Sequence, residues 1–134
     1  MLSLHFDGGP RRAAAARTAY LPPATYGTRN GSDGAAATRE IDVLPWRDVA
    51  TRHAVESRQL AEDVLSSLEL HAQGPTRLRE ILPYTLLGVN APGLLLECAT
   101  LTSPQDRARL TRPQGLAELA AGIADGIAAY QRSE

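Results

Sequence analysis

The amino-acid sequence predicts an α/β domain, and three observations carry that prediction. Strand-like apolar runs occur at residues 1–6 and at Leu94–Leu96, the second punctuated at its start by Pro92 and Gly93. Helical periodicity runs from about Arg47 to His71, where Val49, His53, Leu60, Ala61, Val64, Leu65 and Leu68 recur on one side. A second amphipathic stretch, Gln114 to Tyr130, repeats the pattern near the end. Strands interleaved with helices imply a sheet with a helical layer.

Residues 1–6 read as the first strand, closed by the turn Asp7-Gly8-Gly9-Pro10. Thr18 to Leu21 is a candidate second strand, stopped by Pro22-Pro23. Residues 22–45 are rich in Gly, Ala, Thr and Pro and read as one long surface loop, a length uncommon without a functional reason. The long helix follows and ends at Gln73-Gly74-Pro75. Ile81 to Leu87 is expected to be a strand, with Pro83 arguing for an edge position or an irregular start. Gly93 to Glu97 is the next strand. Its continuous apolar run suits burial on both faces, and Glu97 is expected at its end. Ser103 and Pro104 supply an N-cap and a first-turn proline for a short helix to Leu110. In the last helix, Leu116, Leu119, Ala120, Ile123, Ile127 and Tyr130 are expected to share the buried face.

At 134 residues the chain is read as one domain, residues 1–134, large enough for a real core. Net charge is −1 and aromatic content 4%, which argues against a nucleic-acid surface and a base-stacking platform. All 14 basic residues are Arg, so Schiff-base and P-loop lysine chemistry are excluded. The single Cys forms no internal disulfide. No apolar stretch approaches the length of a membrane span. The start, Met1 to Asp7, lacks a basic region and meets His5 and Asp7 too early for a signal peptide.

Two residues stand out chemically. In open α/β sheets, ligands gather at the carboxyl ends of strands. His5 and Glu97 are both expected at such ends. Taken singly, His5 reads as a polar residue at a sheet edge, and Glu97 as a solvated loop carboxylate. Together they offer a metal-binding imidazole and an acid/base carboxylate, the minimal vocabulary of a hydrolytic zinc site. His71, in the last helical turn, suits the helix dipole. His53 has no partner at ligand spacing. Cys98 reads as a small buried hydrophobe.

The order of motifs resembles the bacterial zinc-dependent N-acetylmuramoyl-L-alanine amidases. Leu2-Ser-Leu-His5-Phe-Asp7 is similar to that family's "iSiHaN" strand, and Ser57-Arg-Gln-Leu-Ala61 to its "S..LA" helix. Ala91-Pro-Gly-Leu-Leu-Leu-Glu97-Cys-Ala-Thr-Leu-Thr-Ser103-Pro-Gln-Asp106 resembles "PAVLVELGFLSNPED", and Leu116 to Ile127 the final helix. The resemblance implies a twisted, mixed, largely parallel sheet flanked by helices and a single zinc ion. It implies hydrolysis of the amide between N-acetylmuramic acid and L-alanine in peptidoglycan, in the cell envelope. His5 would be a zinc ligand and Glu97 the catalytic carboxylate.

The departures are specific. The family's other two ligands, a His in a Gly-His-Gly-Gly loop and a Glu, precede the strand with which this chain starts. Asp7 replaces an Asn, Leu87 an Arg, and Cys98-Ala99 a Leu-Gly pair. The expectation is therefore the C-terminal portion of a catalytic domain, lacking the family's first strands. Zinc would be weakly held, and an exposed sheet edge would favour self-association. Two other classes compete: a non-catalytic relative that binds wall peptides or a protein partner, and a cysteine hydrolase using Cys98 with His5.

Overall fold

A computed structural model describes residues 1–8, 16–24, 45–72 and 74–133. It holds four strands, β1 (Leu2–Asp7), β2 (Arg17–Leu21), β3 (Thr76–Glu80) and β4 (Leu94–Thr100). Three α-helices accompany them: α1 (Ala54–His71), α2 (Pro104–Leu110) and α3 (Gly115–Ser133). The strand order is β1-β4-β2-β3. β1 pairs parallel with β4, β4 antiparallel with β2, and β2 parallel with β3. The sheet is mixed and mostly parallel, as expected. Most of the long loop read at residues 22–45 lies outside the described residues.

Position in the sheet explains composition. β4 has a neighbour on each side, and all its residues except Glu97 are buried. β1 and β3 are edges and need only one apolar face. That economy puts Ser3 and His5 on the outer face of β1, while Leu4, opposite Leu96 on the helix side, and Phe6 are exposed at 51% and 43% at the edge of the sheet. On β3 it permits Thr-Arg-Leu-Arg-Glu, in which Leu78 packs against the core while Arg77 and Arg79 stay exposed.

This corrects the strand expected at Ile81–Leu87. That segment is irregular, with a 3-10 turn at Tyr84–Leu86. Hydrophobic alternation misplaced the strand because an edge strand carries so little of it. Pro83, with no N–H, opens the 3-10 turn instead. The long helix also starts later than expected. Residues 46–48 and 50–53 form 3-10 turns, and α1 proper begins at Ala54.

The core lies between the sheet and the α1/α3 pair. Ala19 and Leu21 from β2 and Leu94, Leu96 and Cys98 from β4 meet Leu60, Ala61, Val64 and Leu68 of α1 and Leu119, Ile123 and Tyr130 of α3. α3 packs more closely than a leucine face would allow. A Cβ on Gly122 would lie 2.9 Å from Leu68 Cδ2, and one on Gly126 would lie 2.4 Å from Val64 Cα. The two glycines therefore form the contact line with α1. Leu116 and Ala120, expected on the buried face, are exposed.

Candidate active site

The sheet register brings together the two residues singled out from sequence. His5 on β1 pairs with Glu97 on β4, and Thr18 on β2 pairs with Glu97 from the other side. Because side chains alternate along a strand, Ser3, His5, Thr18 and Glu97 share the sheet face opposite α1 and α3. His5 Nδ1 lies 4.0 Å from Glu97 Oε1. His5 Nε2 lies 3.1 Å from Ser3 Oγ, two residues back on the same face. β1 carries a bulge between His5 and Asp7, after which Asp7 pairs with Thr100.

Glu97 does not end its strand. β4 continues through Cys98-Ala99 to Thr100, so Glu97 is the central residue of seven. The expectation failed because a carboxylate was taken as a terminator. A strand interior tolerates one where that face is not fully buried. The Glu97 side chain is 23% exposed, yet Oε2 is buried without a hydrogen-bond partner. Burial pushes its pKa up from the usual carboxylate value and the charge of Asp7 adds to this, while His5 opposes both.

The other titratable candidates are elsewhere. His53 contacts Asn90 Oδ1 at 3.0 Å. His71 contacts Asp125 Oδ2 on α3 at 2.8 Å, so it has a specific partner and not only the helix terminus. Cys98 is 2% exposed on the helix-covered face, away from the His5 side chain, and burial pushes its thiol up to about 11. A thiolate nucleophile oriented by His5 is therefore ruled out by geometry and by ionisation. Among the described residues, no group of three His, Cys, Asp or Glu could hold a metal ion.

Several supporting residues were not anticipated. Ser57, fully buried on α1, accepts the backbone N–H of Gly93 at 3.0 Å and so fixes the entry to β4. A Cβ on Gly93 would meet Met1 O at 3.2 Å, and Leu94 N donates to that same oxygen at 3.1 Å. At the other end, Ser103 caps α2 as expected, accepting from Asp106 N at 3.3 Å. The Asp106 carboxylate, 4% exposed, accepts from Thr100 N at 2.8 Å. The Ser103-x-x-Asp106 spacing was the available signal for the cap, but the Asp106 carboxylate reaches past Ser103 to the N–H of Thr100.

Comparison with known proteins places the fold and the family. The sequence profile described as N-acetylmuramoyl-L-alanine amidase matches residues 1–129. The chain belongs to that family. An N-acetylmuramoyl-L-alanine amidase from Clostridium difficile 630 superposes with a TM-score of 0.64 at 19% identity, covering 99% of this chain and 57% of that one. The CwlD amidase of Clostridioides difficile, solved in complex with the GerS lipoprotein, gives 0.63 at 16% identity, covering 99% and 54%. The Ami1 amidase of Mycobacterium smegmatis gives 0.58 at 20% identity, covering 99% and 54%. The chain thus spans little more than half the length of these structures. No curated protein matches it in sequence. No helix among the described residues is long and apolar enough to cross a membrane.

Proposed function

We propose that this chain is the C-terminal portion of an amidase catalytic domain that cleaves the bond between N-acetylmuramic acid and L-alanine in peptidoglycan. Glu97 is the acid/base carboxylate, His5 is one zinc ligand, and the site of action is the cell envelope. The observation that carries the reading is the pairing of His5 with Glu97 across two adjacent strands on the face opposite the helices. Family membership over residues 1–129 supports it.

Amide hydrolysis needs a proton removed from water and a proton delivered to the departing nitrogen. A carboxylate whose pKa is raised toward neutrality can do both in turn. Glu97 has that direction of shift from burial and from Asp7. Ser3 holds the far nitrogen of His5, which fixes the ring so that Nδ1 faces the carboxylate.

A bound zinc would supply the polarised water. The described residues do not complete its shell, because catalytic zinc ordinarily takes three protein ligands and this face offers one imidazole beside the carboxylate. The chain has three His in all, and His53 and His71 are engaged elsewhere. That same observation favours a second reading, a non-catalytic relative that binds wall peptides or a protein partner.

Incubation with purified peptidoglycan and zinc separates the two readings. The amidase reading expects new L-alanine amino groups, with release reduced at least about a hundredfold in Glu97→Gln and zinc binding reduced in His5→Ala. Release that survives Glu97→Gln overturns the assigned role. Sedimentation with peptidoglycan and no release at stoichiometric zinc establishes the binding reading.

A further inference from the structure

On the opposite side of the sheet from the Glu97 side chain, a cavity of about 390 Å³ opens between the C-terminal end of α1, α2 and the first turns of α3. Arg17 points into this region from β2. It alternates with Thr18, so it faces the helices with Ala19 and Leu21. Its side chain is unusual in being charged, 7% exposed and unsatisfied: neither Nε nor Nη1 has a hydrogen-bond partner. A guanidinium stays protonated even when buried, so it cannot escape this cost by neutralising. A buried charge without a partner is strongly unfavourable, and an anion is what removes the penalty.

A second cation converges on the same point. Arg109 Nη1 and Arg17 Nη1 lie 2.9 and 3.0 Å from the position that a Cβ on Gly74 would occupy. Two like charges thus approach one another over a residue with no side chain. The other charged groups lining the cavity are largely committed. Arg112 pairs with Glu118 at 3.3 Å, and His71 with Asp125 at 2.8 Å. Asp106 accepts from Thr100 N and offsets part of the Arg17 charge. Among the described residues, no carboxylate forms an ion pair with Arg17 or Arg109.

We propose that Arg17 and Arg109 bind the carboxylate of a small organic acid or of a peptide C-terminus in this cavity. Two guanidinium groups partly offset by Asp106 call for a single negative charge. A phosphate dianion would also face Asp106 and Glu118. Ala72, Ala108, Leu110 and Leu119 provide apolar wall for a short carbon chain. The planar donors of arginine match a carboxylate's two oxygens. The site does not depend on the amidase reading, because neither His5 nor Glu97 lines the cavity.

NMR of the arginine Nε–H groups in the whole chain tests this, with sodium propionate, N-acetyl-L-alanine and inorganic phosphate as probes at constant ionic strength. Propionate or N-acetyl-L-alanine should shift the Arg17 Nε–H resonance saturably. Arg109→Gln should weaken that binding at least tenfold, whereas Arg77→Gln, an exposed change on β3, should leave it unaltered. Tighter binding of N-acetyl-L-alanine identifies a peptide C-terminus as the source, and equal binding a free acid. The proposal is overturned by a shift no larger than matched chloride produces, by tighter binding of phosphate than of either carboxylate, or by unchanged affinity in Arg109→Gln.

Discussion

On the side of β4 that meets the helices, Leu94, Leu96 and Cys98 are at most 2% exposed and touch both α1 and β2 neighbours in one core. On the other side, Glu97 keeps part of its side chain in solvent, beside a half-exposed His5. One strand therefore serves two purposes in alternate residues. The helix side is closed by packing and tolerates little change in volume. The opposite side holds an ionisable group whose environment is only partly dehydrated, which shifts its pKa without abolishing its access to water.

If that division is right, substitutions should sort by side. Leu96→Ala empties a fully buried position and should cost about 3–4 kcal/mol in urea denaturation followed by circular dichroism. A cost near zero would break the comparison. Gly126→Val places a side chain where Val64 backbone already stands, so α1 and α3 must separate; about 2–3 kcal/mol is expected by the same measurement. Ser57→Ala leaves the N–H of Gly93 without its acceptor and should cost about 1–2 kcal/mol.

On the opposite side, effects on stability should be small or favourable. Glu97 binds its proton more tightly in the fold than in the unfolded chain, since its pKa is raised. Its protonation therefore stabilises the native state below the unfolded-chain pKa, and that contribution is lost as pH rises through the native value. Glu97→Gln removes the loss. Its melting temperature should exceed the parent's at pH 7, by an amount equivalent to less than about 1 kcal/mol given the solvent screening, and the difference should close toward pH 4. A Gln variant less stable at pH 7 than at pH 4, relative to the parent, would sharpen the picture the other way, making Glu97 a structural anchor. His5→Ala should change stability by less than about 0.5 kcal/mol, as expected for an exposed group away from the core.

The same contrast explains which elements could be read in advance. α1 and α3 announce themselves because a long helix must repeat its apolar residues to cover a sheet. β4 announces itself because a central strand is apolar throughout. β3 does not: at an edge, one Leu among Thr, Arg and Glu is enough, and the eye passes to the more apolar but irregular Ile81–Leu87. The Gly122 and Gly126 contact was also hidden, because a residue without a side chain contributes no hydrophobic signal while permitting the closest approach of two helices.

The amino-acid sequence by itself determined the α/β class, the capped start of α2, and the choice of His5 and Glu97 as the residues worth watching. These follow from local periodicity, turn chemistry and residue type, all of which are properties of neighbours along the chain. Only the tertiary structure decided that Glu97 lies in mid-strand facing His5 and that Cys98 is turned into the core. It alone buried Arg17 beside Arg109 with no described carboxylate between them. Those facts depend on register and burial, which join residues as far apart as 5 and 97 and are written nowhere in the local pattern.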